Sequence, residues 1–278
     1  MDFSSIIGLI AGLGLIVFGI MDGGVISGFI SPASMAITFG GTIAATVIAF
    51  PFSSFKQIPG QLKIVLQKKK YNPHDYIATI VNFAQEARKK GLLSLEERAS
   101  KEKDPFLRNS IMLLVDAIDP TKVKEMLENE LDCLEERHSK GWYLYDKAAA
   151  FALAFGMIGT LIGLINMLAN LNMDSAEASK LLGQGMSLAL ITTFYGSVAA
   201  NLVLIPLANR LRMRHNEEML CKEMVVDGVI AIQAGENPRH IEERLNAFLA
   251  EKDKIGKRDK TDKTEKTLPE RVRRARKH

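Results

Sequence analysis

Apolar residues in this chain gather into four long runs, at residues 3–21, 32–52, 148–171 and 181–209, and none of the runs holds Asp, Glu, Lys, Arg or His. Each approaches or exceeds the about twenty residues one helical crossing of a bilayer needs. Gly and Thr recur within them, as suits helices packed closely in lipid. The polar stretches between the runs carry a different rhythm. Residues 75–90 place Tyr76, Ile77, Ile80, Val81 and Ala84 on one helical stripe, and residues 107–118 and 123–145 repeat the pattern. Pro105 and Pro120 punctuate them, each after an Asp, so Asp119 ends one helix and Thr121 is the expected cap of the next. A further helix over 210–233 continues from the fourth run and stops at Ala-Gly-Glu-Asn-Pro, and a short one follows at 241–249.

The predicted fold class is therefore all-α, with four transmembrane helices plus a helical cytoplasmic domain. The chain divides into a transmembrane hairpin (1–53), a cytoplasmic helical domain (54–147), a second transmembrane hairpin (148–209), a cytoplasmic helical extension (210–250) and a basic tail (251–278). The tail has the Lys/Asp/Thr-rich composition of a disordered segment.

Charge orients these segments. The hairpin at 22–31 has no Lys or Arg, and the one at 172–180 has only Lys180. The other 35 basic residues lie in 51–147 and after residue 209, which makes those regions cytoplasmic by the positive-inside rule. Both termini are then inside, in a multi-pass membrane protein. The net charge of +4 is a property of the tail, which holds 12 Lys/Arg against 6 Asp/Glu. Such a tail beside a membrane is attracted to anionic lipid headgroups, and no nucleic-acid partner is invoked. Cys133 and Cys221 lie in charged segments without a CxxC spacing and are read as reduced.

Candidate chemistry is sparse. GLIAGLGLIVFG lies inside an apolar run with no strand before it, so it is no phosphate loop. The five histidines have no metal spacing, and no nucleophile–base–orienter set appears, so the chain is read as non-enzymatic and without a cofactor. The runs also lack the ionisable residue that an ion carrier ordinarily places in the membrane. They do carry uncharged polar residues, among them Thr160, Asn166, Asn170, Gln184, Ser187, Thr192, Thr193, Tyr195, Ser197 and Asn201. Ala189, Thr193, Ser197 and Asn201 recur at four-residue steps and share a helix face. Gly156, Gly159 and Gly163 form a small-residue face that admits another backbone. The hydroxyls serve either as interhelical glue or as the lining of a pathway whose carboxylate comes from another chain.

Four segments, in order, carry a resemblance. GMIGTLIGL at 156–164, GMSLALITTFYGSVAANLVLIPLANRL at 185–211, ARKKGLLSLEE at 87–97 and QAGENPRHIEERL at 233–245 are similar to the MotA/PomA flagellar stator subunits. Pro32 and the pair Gly40–Gly41 fit as well, and the likeness covers residues 1–249. The resemblance implies a homo-oligomer, a pentamer around a dimer of a MotB-type subunit that supplies the intramembrane Asp and grips peptidoglycan. Ion flow then turns the ring, and the cytoplasmic region pushes the rotor protein FliG.

Residue by residue, the resemblance makes Arg88 and Glu96 the rotor contact and Pro206 a conformational coupling residue. It places Thr160, Thr192 and Thr193 near the partner's Asp. The pathway face so defined is Thr160, Thr192, Thr193, Ser197 and Asn201. Arg88 and Glu96, eight residues apart, would share a helix face unless Gly91 interrupts it. Leu153 departs from the family, which commonly has a proline there. The transported ion is read as H+, with Na+ as the alternative. The rivals are an ExbB/TolQ-type energiser, which usually has three spans, and a scaffold without ion flux.

Overall fold

The computed structural model describes residues 3–23, 26–67, 71–169, 176–249 and 251, and every regular element among them is helical. The basic tail beyond residue 251, Gly24, Asn170 and residues 171–175 of the second hairpin lie outside the described residues.

Helix starts follow one local rule. Ser31, Asn72, Asp104, Asp119 and Asn237 each precede a proline that opens a helix. The proline has no N–H to leave unsatisfied and its φ is already helical, while the preceding side chain accepts from an orphan N–H of the first turn. Ser31 accepts from Ser34 N at 3.3 Å, Asn72 from His74 N at 3.3 Å and Asp104 from Phe106 N at 2.9 Å. Asp119 accepts from Thr121 N at 3.0 Å and Asn237 from Arg239 N at 3.2 Å. The expectation that Thr121 caps its helix is thereby corrected. Asp119 is the acceptor and Thr121 sits inside the first turn, because a carboxylate before proline is already in the capping position.

In chain order the helices are α1 (Phe3–Gly23), α2 (Pro32–Met35), α3 (Gly41–Ala49), α4 (Phe52–Phe55), α5 (Ile58–Leu66) and α6 (Pro73–Lys90). There follow α7 (Leu95–Ser100), α8 (Pro105–Val115), α9 (Pro120–Ala169), α10 (Ala176–Val198), α11 (Ile205–Gln233) and α12 (Pro238–Asn246). A π turn, Ala36–Gly40, joins α2 to α3, and another, Ala199–Leu204, joins α10 to α11. Three stretches, Ile26–Ala49, Pro120–Ala169 and Ser179–Gln233, are long and apolar enough to cross a membrane. Ile7–Gly23, within the 21-residue α1, is a shorter apolar stretch. The chain is a membrane protein of all-helical build.

Hydropathy changes sharply at residue 148, yet α9 runs through that point as one helix of 50 residues. Between its opening Pro120 and residue 147 there is no further proline and the only glycine is Gly141, so the backbone has no strong reason to stop where the solvent preference changes. Gly141 instead lets Gln61 approach, with Nε2 3.0 Å from where a Cβ would stand.

Contacts group the chain into two units, and α9 and α11 contribute to both. The unit formed by Met1–Lys70 and Leu134–Asn216 buries small residues such as Ala149, Ala152 and Ala200. Its large apolar side chains, among them Ile10, Leu15, Phe18, Ile48 and Met157, face outward. That inversion suits a surface covered by lipid and protein neighbours. Asp146 and Arg212 form an ion pair between α9 and α11 in this unit.

The unit formed by Tyr71–Cys133 and Glu217–His278 is built like a soluble domain. Ile80, Phe83, Leu95, Ile111, Leu114, Val123, Met224, Val225 and Leu245 are fully buried in one cluster. Val123, Leu127 and Leu131 recur at four-residue steps along α9 and give it one core-facing stripe. Cys133 is exposed and Cys221 buried, and neither is in a disulfide.

Candidate functional site

Five glycines bring α9 and α10 together. A Cβ on Gly163 would lie 2.4 Å from the Gly185 carbonyl oxygen, and one on Gly196 2.4 Å from that of Ala152. A Cβ on Gly159 would stand 2.4 Å from the Thr192 side chain. Gly185 and Gly156 meet the facing backbone at 2.8 and 3.1 Å. The helices therefore touch backbone to backbone, as the small-residue face implied.

That approach joins two of the hydroxyls marked in the sequence. Thr160 Oγ1 of α9 and Thr193 Oγ1 of α10 are 2.5 Å apart. Thr160 also reaches the carbonyls of Gly156 at 3.2 Å and Ala189 at 3.1 Å. Thr193 reaches the same two, Gly156 at 3.4 Å and Ala189 at 3.3 Å. Hydroxyl and carbonyl oxygens thus cluster without a charge among them, and Thr193 is exposed. Such a set can replace part of an ion's hydration shell or hydrogen-bond a carboxyl group brought to it.

The remaining marked residues separate. Thr192 is fully buried, its hydroxyl turned back to the carbonyls of Leu188 and Ala189, both at 3.0 Å. It lies against Gly159, apart from the exposed face. Ser197 is half-buried, and Asn201 is exposed within the second π turn, its Nδ2 donating to the Ser197 carbonyl at 3.0 Å. Ala189, which begins the four-residue series, is buried against Gly163.

Pro206 explains the π turn before it. It has no N–H for the carbonyl of Leu202, and its ring crowds that carbonyl. The helix widens upstream, and Ile205 N–H donates five residues back to Ala200. Leu153 has the opposite setting: α9 continues unbroken through it.

Gly91 does end α6. Its φ of 87° is one that a side chain resists, and the chain turns through Leu92–Ser94 into α7. Arg88 and Glu96 therefore lie on separate helices, which corrects the one-face possibility. Around them the charges are taken up internally. Glu86 accepts from Lys90 and Arg98, both at 3.1 Å, and Lys101 donates to Glu97 at 2.6 Å. Arg98 and Lys90 hold the Glu86 carboxyl below the usual carboxylate range, and Lys101 does the same for Glu97. Arg88 and Glu96 are exposed and make no ion pair among the described residues.

Sequence reasoning passed over the polar face of the second apolar run. Ser34, Thr38, Thr42 and Thr46 are all buried, and their strict four-residue spacing was the available signal. Thr42 donates to the Thr38 carbonyl at 2.6 Å and Thr46 to that of Thr42 at 2.7 Å. Thr38 instead donates across to the Thr192 carbonyl at 3.3 Å. Among the described residues no three His, Cys, Asp or Glu converge on a possible metal position.

Residues 98–224 match the model of the MotA/TolQ/ExbB proton channel family, and residues 6–91 match that of the motility protein A N-terminal region. The chain is 40% identical over 250 residues to the Bacillus subtilis protein YtxD, covering 89% of this chain and 90% of that one. It is 42% identical over 251 residues to motility protein A of Aquifex aeolicus, covering 90% and 97%. The flagellar MotAB stator complex from Bacillus subtilis contains a chain of matching fold. The TM-score is 0.81 at 30% identity, over 92% of this chain and 99% of that chain.

Proposed function

This chain belongs to the MotA/TolQ/ExbB proton channel family, in its motility protein A branch, and we propose that it is the stator subunit that couples ion flow to flagellar rotation. The family is one of channel-type subunits, not enzymes. The observation that carries the reading is the Thr160–Thr193 hydroxyl pair, set among carbonyls on a charge-free helix pair and open on one side. A MotB-type subunit brings its Asp to that opening, with Ser197 and Asn201 continuing the path. The site needs a partner because the spans hold no carboxylate of their own. The chain crosses the inner membrane four times with both termini inside, as a pentamer around a partner dimer. Lipid covers the outward apolar side chains.

The coupled ion is H+, with Na+ as the alternative. An elementary charge crossing 100 mV releases about 2.3 kcal/mol, which the subunit turns into stepping. Arg88 and Glu96 meet FliG, since their charges make no ion pair among the described residues. An ExbB/TolQ-type role is disfavoured by the motility protein A match over residues 6–91. The test is Thr193→Val in cells lacking other stators. It keeps the shape and removes the hydroxyl, so ion flux and swimming should fall together while the complex still assembles. Wild-type flux and swimming would reduce the pair to interhelical glue.

A further inference from the structure

Thr193 faces outward, yet the residues on either side of it are tied to one other segment. Thr192 is wedged between Gly159 of α9 and Thr38 of the first π turn, whose hydroxyl donates to the Thr192 carbonyl at 3.3 Å. Tyr195 reaches the same segment by a second route. Its Oη donates to the Phe29 carbonyl and accepts from Ser31 N–H at 3.3 Å, and its ring stacks on Phe39 with centroids 5.7 Å apart. The π turn Ala36–Gly40 carries both Thr38 and Phe39, so consecutive residues grip α10 at Thr192 and at Tyr195. Thr42 and Thr46, in regular helix, spend their hydroxyls on their own backbone. Of the three, Thr38 bonds across to α10.

We infer that Thr38 and Tyr195 are positioning residues: the segment 29–39 clamps α10 at the two residues that bracket Thr193 and so fixes where its hydroxyl stands against Thr160. The inference rests on the reading of the Thr160–Thr193 pair as part of the ion path. Neither positioning residue needs to touch the ion. Each acts by denying α10 the small rotation or slide that would part a 2.5 Å contact.

The test uses the full chain with its partner subunit in cells lacking other stators, with tethered-bead rotation as the readout. Speed rises in steps as units join, so step height reports the torque of one unit and step number reports assembly. Thr38→Val and Tyr195→Phe remove one hydroxyl each and keep shape and ring stacking. Both should lower step height and raise the ion concentration for half-maximal speed, Thr38→Val by about two- to tenfold, the worth of its one hydrogen bond, and Tyr195→Phe, which loses two, by at least as much. Thr38→Ser should restore both.

A merely structural role would reduce step number alone, and unchanged step height with unchanged half-saturation overturns the inference. Should Thr38→Val fail to assemble, Tyr195→Phe decides. Thr193→Val run in parallel separates the two claims. If it shifts the ion dependence and the positioning variants do not, the clamp is wrong and the pathway stands. If it shifts nothing, both fall.

Discussion

Gly163→Ala tests whether the α9–α10 contact sets the hydroxyl pair. The new methyl would stand 2.4 Å from the Gly185 carbonyl oxygen, 2.7 Å from Ala189 N and 2.8 Å from Ala189 Cβ. The first two are backbone atoms, so no rotamer change relieves them. A carbon–oxygen contact is comfortable at about 3.3 Å, so the helices must part locally by about 1 Å. Overpacking of this kind costs about 1–3 kcal/mol. Thr160 lies one turn away on the same helix, and its 2.5 Å contact with Thr193 would stretch beyond hydrogen-bonding range, losing about 1 kcal/mol more.

The purified complex with its partner should therefore unfold at a lower temperature, by roughly 5–10 °C for a chain of this size. Ion flux per assembled complex should also fall. Gly183→Ala is the control. It lies on α10, the other helix of the pair, nothing stands within 4 Å of its Cβ position, and alanine favours the helix. If Gly163→Ala kept the stability and flux of Gly183→Ala, the close contact would not be what positions the pair.

Reversing Glu96 to Lys should cut swimming by much more than it cuts assembly or flux, because the exposed carboxylate has no ion-pair partner to lose among the described residues; a matching loss of flux would refute a pure rotor contact. Tyr76→Phe should destabilise the protein by about 1.5–3 kcal/mol at pH 8, since the phenol donates to the Asp104 carboxylate that also caps α8. Burial first, and then that carboxylate, raise the Tyr76 phenol well above its ordinary value. The unfolded chain therefore loses the proton first, from about pH 10, and the contribution declines as pH rises beyond it. The stability gap between wild type and Tyr76→Phe should narrow above pH 10, and a gap that widens there would contradict the assignment.

What the sequence made legible follows from where its signals are local. Charge-free runs of about twenty residues favour lipid, so the membrane character was readable by composition: three of the runs fall in helices long and apolar enough to cross a membrane, and the first in a shorter apolar stretch. Helix starts were readable because Asx-Pro fixes both the acceptor and the first φ, although Asp119 and Thr121 exchanged roles. Glycine spacing announced the α9–α10 approach. The π turn at Ala36–Gly40 was not readable, because it contains no proline and its residues would serve equally in an α-helix. The continuity of α9 across residue 148 was missed for a related reason. Hydropathy reports which solvent a residue prefers, and backbone continuity depends on propensities that barely change there.

The adjacent threonines show why a pathway face cannot be assigned from residue type. Thr192 and Thr193 differ by about 100° around α10, so whatever lies against one leaves the other free. Thr192 is fully buried and turned back on its own helix, gripped by Gly159 and Thr38. Thr193 faces out and meets Thr160. Identical side chains thus take opposite settings, one buried against its neighbours and one exposed beside Thr160. The choice between them is made by a glycine 33 positions away in sequence and a threonine 154 positions away, neither of them in the apolar run that carries the pair. A hydroxyl in a membrane helix can be glue or pathway according to its phase against its neighbours, and it is that phase, not residue type, that makes Thr193 and not Thr192 the residue proposed for the ion path.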